Sequence, residues 1–208
     1  MKYTDKQFFD WEIEHGLYPG GHNKGFYEVH NKLAQFIIKY KPKLHADLGG
    51  GNSPLCKILQ DNGIDTDLYE LNKYSCYLQK EYGVKNVLNI DFISGLNFNE
   101  ICKITLPYDF ITCIEVFEHI ENEKLCLFML DLAYSCKYLI FSSTPHKDTP
   151  EFDEQWGHVN IKQIDEWIEL FESNNFKLMQ DETTHLQSNC IPTTWTLMFK
   201  SNICQNIL

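Results

Sequence analysis

Apolar positions along the chain alternate between helical and strand spacing. Phe26, Val29, Leu33, Phe36, Ile37 and Tyr40 recur three or four residues apart, the pattern of one helix face, and a short strand over Leu44–Leu48 follows. Three glycines, Gly49 to Gly51, separate that strand from a second helix bearing Leu55, Ile58 and Leu59, which stops at Gly63. Further strands are predicted at Thr66–Glu70, Val87–Ile90, Phe110–Ile114 and Tyr138–Ser142, with helical patterns near 73–82 and 124–136 between them. Asn160 and Gln163 resemble a capping box that opens a helix with Ile161, Ile164, Trp167, Ile168 and Phe171 on its apolar face. Strands at about 176–182 and 194–200 complete the set. Strands and helices alternating at this spacing predict an α/β fold, a doubly wound and mostly parallel sheet of seven strands with helices on both faces. Residues 1–25, a short helix and a Tyr-Pro-Gly-Gly turn, stand outside this scheme as an N-terminal segment able to cap the binding face, leaving 26–208 as the domain proper.

Composition narrows the partners. The 208 residues are 43% hydrophobic, enough for one core, and no apolar run approaches the length of a membrane span or a secretion signal. A cytoplasmic protein is expected. Its eight cysteines are scattered without a Cys-x-x-Cys pair, which predicts reduced core residues and neither a zinc site nor a disulfide frame. Net charge is −11, and all 18 basic residues are lysines. Without arginine or clustered cations the chain lacks the usual means of gripping phosphates, so the composition disfavours nucleic acid and favours a small-molecule acceptor.

The glycine loop after the first strand marks the ligand site, because open α/β sheets bind ligands beyond the carboxyl ends of their strands. A dinucleotide fingerprint would continue to a third spaced glycine. Here Ser53 and Pro54 follow instead, an N-cap and a first-turn proline that open a helix without making room for a pyrophosphate. The acidic residue before the loop, Asp47, suits a cationic or hydroxyl-bearing ligand better than a phosphate.

Asp47-x-Gly49-x-Gly51-x-Ser53 resembles the first motif of the class I S-adenosylmethionine-dependent methyltransferases, and the resemblance continues in order over about residues 30 to 200. It implies that Glu70, in "DLYELN", accepts the ribose hydroxyls with Leu71 beside it, and that Asp91 and Phe92 hold the adenine by its edge and its face. "YDFITCIEVFEHI" matches the fourth-strand motif and puts Glu115 among the cofactor-binding residues. "YLIFSSTPHK" is similar to the fifth strand and its substrate loop, and "WGHVNIKQIDEWIELFESNNFKL" to the closing histidine, helix and strand. Ser53 departs from the family's commonest third glycine.

The implied activity is methyl transfer from S-adenosylmethionine to an oxygen or nitrogen of a small metabolite such as a sugar, with no metal assigned. A hydroxyl acceptor needs a base, for which His119, His146 and His158 are the candidates. Blander roles stay open beside these. Glu115 can simply tie loops together, His119 can be structural, Asp109 reads as the residue that opens a strand, and Trp167 and Phe171 read as core. Trp156 stands with His158 in a polar loop, and Tyr18 and His22 are candidates for lining the pocket. Two rival readings follow from the same motifs. Glu115, Glu118, His119 and His158 resemble the metal-binding set of small-RNA 3′-terminal 2′-O-methyltransferases, and a non-catalytic module that binds the cofactor is the other.

Overall fold

The computed structural model describes residues 4–91, 107–145, 150–191 and 195–204. Its centre is one sheet in the order β3-β2-β1-β4-β5-β7-β6. The strands are β1 Leu44–Leu48, β2 Asp65–Glu70, β3 Asn86–Asn89, β4 Tyr108–Ile114, β5 Cys136–Ser142, β6 Phe176–Leu178 and β7 Thr196–Ser201. The first five pair in parallel, and β7 runs antiparallel between β5 and β6. Strand order reverses between β1 and β4, whose carboxyl ends therefore border the crevice where such sheets take ligands.

The helices are α1 Asp5–Glu14, α2 Lys24–Ile38, α3 Leu55–Asp61, α4 Lys73–Glu81, α5 Asn122–Ser135, α6 Pro150–Trp156, α7 Ile164–Ser173 and α8 Gln180–Asn189. Side chains on a strand point alternately to opposite faces, so each strand feeds two cores. Phe110 of β4, Ile140 of β5 and Met198 of β7 pack with Leu33, Phe36 and Ile37 of α2, Leu59 of α3 and Leu186 of α8. Their neighbours Ile111, Leu139, Phe141 and Phe199 turn the other way, toward Leu125, Met129 and Leu132 of α5 and Trp167 and Phe171 of α7. In that second core Phe117, Phe141, Trp167 and Phe171 stack edge to face with centroids 4.8 to 5.7 Å apart. Trp167 and Phe171 are thus core residues, as expected. Asp109 opens β4 and ties it down: its carboxylate accepts from the backbone N–H groups of Lys43 and Leu44 and pairs with Lys137 at 2.8 Å.

Several local expectations need correction. The capping box before α7 is Gln163 with Glu166, so the helix starts at Ile164 and the loop from Gly157 reaches three residues further than the Asn160 pairing predicted. At α3 the N-cap is Pro54, and the Ser53 hydroxyl accepts from the Leu55 N–H at 3.1 Å. Strand β6 ends at Leu178, because 180–189 form α8. Among the described residues the free cysteines are buried except Cys126. No helix of the described residues is long and apolar enough to cross a membrane.

Candidate functional site

A cavity of about 610 Å³ opens at the carboxyl ends of β1, β2 and β4. That is ample for a drug-sized ligand. Five carboxylates line it, Glu12, Asp47, Glu70, Asp91 and Glu115, and among the described residues no lysine does.

The glycine loop is shaped by crowding as well as by ligand access. Gly49 sits at φ +69, and a Cβ there would lie 2.5 Å from Val116 Cγ2, so both backbone and space demand glycine. At Gly50 a Cβ would lie 2.4 Å from Asp47 Oδ2 and 2.5 Å from Leu68 Cδ1, which lets the loop fold flat onto Asp47. Gly51 also has positive φ, +51, and a Cβ there would lie 3.8 Å from Glu12 Oε1. Asp47 itself is buried at the end of β1, where its Oδ1 accepts from the Thr112 hydroxyl at 2.5 Å and Cys56 Sγ lies 3.8 Å from Oδ2. Burial pushes its carboxyl up to about 6, against the opposing effect of the Thr112 bond.

Glu70 ends β2 with its carboxylate clamped by backbone. Oε2 accepts from the Gly51 N–H at 2.8 Å and Oε1 from the Asn72 N–H at 2.6 Å. Burial raises its pKa while those two bonds oppose the rise. A carboxylate offers about four lone-pair sites, so these backbone bonds do not exhaust its capacity to accept from a ligand in the cavity. Leu71, 57% exposed, and Asp91 also line the wall, and Phe92 lies outside the described residues.

At the end of β4 the chain turns sharply. Glu115 takes φ +54, a conformation uncommon for any residue but glycine, and its N–H donates to Ser142 O at 2.8 Å. Its carboxylate accepts from the Ser142 hydroxyl and from Trp195 Nε1 at 3.1 Å. One short helical turn, Phe117–His119, then brings Glu118 and His119 round beside it. Glu118 is 1% exposed and accepts from the Ser143 hydroxyl at 3.0 Å. Burial raises its pKa well above the carboxylate range, and Glu115, hydrogen-bonded to it, adds to the rise.

Residues from a different stretch complete this group. The Glu118 carbonyl accepts the N–H groups of Val159 and Asn160 at 2.8 and 3.0 Å, which draws His158 alongside. Glu118, His119 and His158 then present ligand-type atoms within 4.8 Å of one another. His119 Nδ1 lies 3.2 Å from Gly157 O, and His158 Nδ1 lies 3.2 Å from Asp153 Oδ1. Both partners only accept, so Nδ1 carries the proton and Nε2 the lone pair in each neutral ring.

Comparison with known proteins gives this geometry a context. A family profile described as "Methyltransferase domain" matches residues 26–181. The chain belongs to that family. This methyltransferase is 24% identical over 178 residues to the small RNA 2′-O-methyltransferase of Rattus norvegicus, covering 78% of this chain but 43% of the rat protein. It therefore spans less than half the length of that curated relative. Among solved structures, an S-adenosylmethionine-dependent methyltransferase from Clostridium acetobutylicum superposes with a TM-score of 0.59 at 14% identity, covering 83% of this chain and 92% of that one. Magnesium protoporphyrin IX methyltransferase from Synechocystis, with bound S-adenosylmethionine, gives 0.56 at 14% identity over 96% of this chain and 97% of that one.

In this methyltransferase the motif residues Asp47, Gly49, Gly51, Glu70, Leu71, Asp91, Glu115 and His119 all border one cavity. His158 borders a second, polar cavity of about 410 Å³ with Asp153, Asn160 and Lys162, and joins the first group only through Glu118 and His119. His146 lies outside the described residues. Tyr18 and His22 give way to other residues of the same segment: Phe8, Trp11, Glu12 and Leu17 form that wall. The sequence reading missed these because they precede every motif, although Thr4 and Gln7 form a capping box legible as a helix start.

Proposed function

We propose that this methyltransferase moves a methyl group from S-adenosylmethionine to a hydroxyl oxygen of a small polyhydroxylated acceptor. The observation that carries the reading is the convergence of Glu118, His119 and His158, with Glu115 beside Glu118 and with Glu115 and His119 on the wall of an acidic cavity. The cavity fits the donor chemically: carboxylates without lysine suit a cation, and the remaining acceptor sites on Glu70 suit a ribose diol. Asp91 is assigned to the adenine edge. α1 serves as the cap over this face.

When bound, the donor supplies a sulfonium-activated methyl group. The protein's own residues then align the acceptor and take its proton. The hydroxyl proton passes to Nε2 of His119, whose Nδ1–H is held by Gly157 O, as the oxygen–methyl bond forms and the sulfur keeps the electron pair of the broken bond. The resulting imidazolium lies beside the acidic pair Glu115 and Glu118. His158, oriented by Asp153, flanks the same oxygen. Free thiols fit a reducing, cytoplasmic setting.

A second reading has its own support. The donor set of Glu118, His119 and His158 is a reasonable oxygen and nitrogen shell for a divalent cation, which would orient the acceptor's hydroxyls and lower their pKa. The rat relative bears the name small RNA 2′-O-methyltransferase, and the metal-bound reading goes with an RNA 3′ end as acceptor. Against RNA stand the net charge of −11 and the absence of arginine.

One experiment tests both. Tritiated methyl transfer is followed into fractionated small metabolites and into short RNA, with chelator and after restoring magnesium or manganese. Label in the small-molecule fraction, indifferent to chelator, supports the first reading. Label in RNA that is lost on chelation overturns it in favour of the second, and label in neither fraction overturns both.

A further inference from the structure

We infer that Glu12, carried by α1, binds the methyl donor and reads its positive charge. The inference rests on the donor assignment above and concerns a segment that precedes residues 26–181, the part matched by the family profile. Glu12 stands on the cavity wall, and its Oε2 accepts from Asn52 Nδ2 at 2.9 Å, which fixes the carboxyl over the glycine loop. The helix that carries it is anchored at both ends. Asn72 Nδ2 donates to Asp5 O at 2.9 Å, and Trp11 meets Trp156 edge to face at 4.8 Å. The position of Glu12 is therefore built into the fold.

Its surroundings contain no balancing cation among the described residues. Glu70 from β2 faces it and Asp47 from β1 lies behind the loop. The remaining titratable groups on the wall are Asp91, Glu115, His30 and His119, and His30 is held neutral by burial. Burial, then Glu70, pushes the Glu12 carboxyl up to about 8. At neutral pH the free protein thus keeps it mostly protonated, and a cation in the cavity draws the proton off. S-adenosylmethionine carries one more positive charge than its demethylated product. A carboxylate at this place favours the donor and releases the product.

Calorimetric titration of wild type, Glu12→Gln and Glu12→Asp tests this, using S-adenosylmethionine, its cationic amine analogue sinefungin and S-adenosylhomocysteine in two buffers of different ionisation heat at pH 7. Wild type is expected to bind both cations more tightly than the neutral product and to release a proton on binding them. Glu12→Gln, which keeps the Asn52 bond and the melting temperature, should weaken both cations on the order of tenfold and the product less than twofold, and lose the proton release. Glu12→Asp should keep most of the preference. Equal weakening of all three ligands, or none, overturns the role of Glu12 while leaving the donor assignment standing. Failure of wild type to bind any of them overturns both.

Discussion

The two halves of the cavity are built by different means. On the side we assign to the donor, Asp47, Glu70 and Asp91 stand at or just beyond the ends of β1, β2 and β3, and the first two are fixed by the sheet and its loops: Glu70 by the N–H groups of Gly51 and Asn72, Asp47 by Thr112 on the adjacent β4. On the other side, Glu118 and His119 meet His158 because a distant segment folds back and donates two backbone N–H groups to the Glu118 carbonyl. The half we assign to the donor is set by strand order, whereas the half we assign to the acceptor depends on packing between remote loops. The first can stay constant while the second varies.

If the halves are separable, substitutions should divide cleanly between turnover and donor affinity. The largest effect is expected at His119. His119→Ala should lower kcat by about 10²- to 10⁴-fold, the usual worth of a positioned base, while the dissociation constant for S-adenosylmethionine measured by calorimetry stays within about twofold. A large loss of donor affinity would show that the halves are not independent.

Gly49→Ala should do the reverse. It forces a side chain into positive φ and against Val116, so donor affinity should fall by about a hundredfold and the melting temperature should drop by several degrees. Glu70→Ala should raise the dissociation constant by about ten- to a hundredfold, since charge-assisted bonds contribute about 1.5–3 kcal/mol each, and Glu70→Gln should do less. Because Glu70 also clamps Gly51 and Asn72, the alanine variant should melt a few degrees lower as well, a consequence of those backbone bonds.

The smallest effect concerns pH. The Asp47 carboxyl titrates near 6 in the fold and near 3.8 when free, so it favours the folded state fully below about pH 4, and that contribution is lost as pH rises through 6. Asp47→Asn should therefore melt closer to wild type, or above it, at pH 8 than at pH 4 in paired scanning calorimetry. A gap independent of pH would mean that folding leaves the Asp47 pKa unshifted.

How much of this was legible in the sequence follows the same division. Strands β1, β2, β4 and β5 each carry apolar residues up to a polar or glycine residue at their carboxyl end, and that spacing, with the acids there, points to the half we assign to the donor. Helix α8 was not legible, because only Thr183 and Leu186 of its ten residues are buried and the pattern reads as polar throughout. β6 is correspondingly short. The capping box before α7 was misread because Asn160 is drawn toward Glu118 by its N–H, a long-range bond that no local pattern encodes. Glu12 was missed for a similar reason, since its partners Asn52 and Glu70 lie 40 or more residues along the chain.

The antiparallel strand β7 bears on how the chain acquires its fold during synthesis. It lies between β5 and β6 yet comes after both, so as the polypeptide emerges β5 has one paired edge, against β4, and one open edge until residues 196–201 arrive. That open edge carries Leu139 and Phe141, which are fully buried once Leu197 and Phe199 are in place. A ribosome stalled before Thr196, or a product cut there, would present a hydrophobic strand edge with unmet hydrogen bonds, a template for aggregation that residues 196–201 remove.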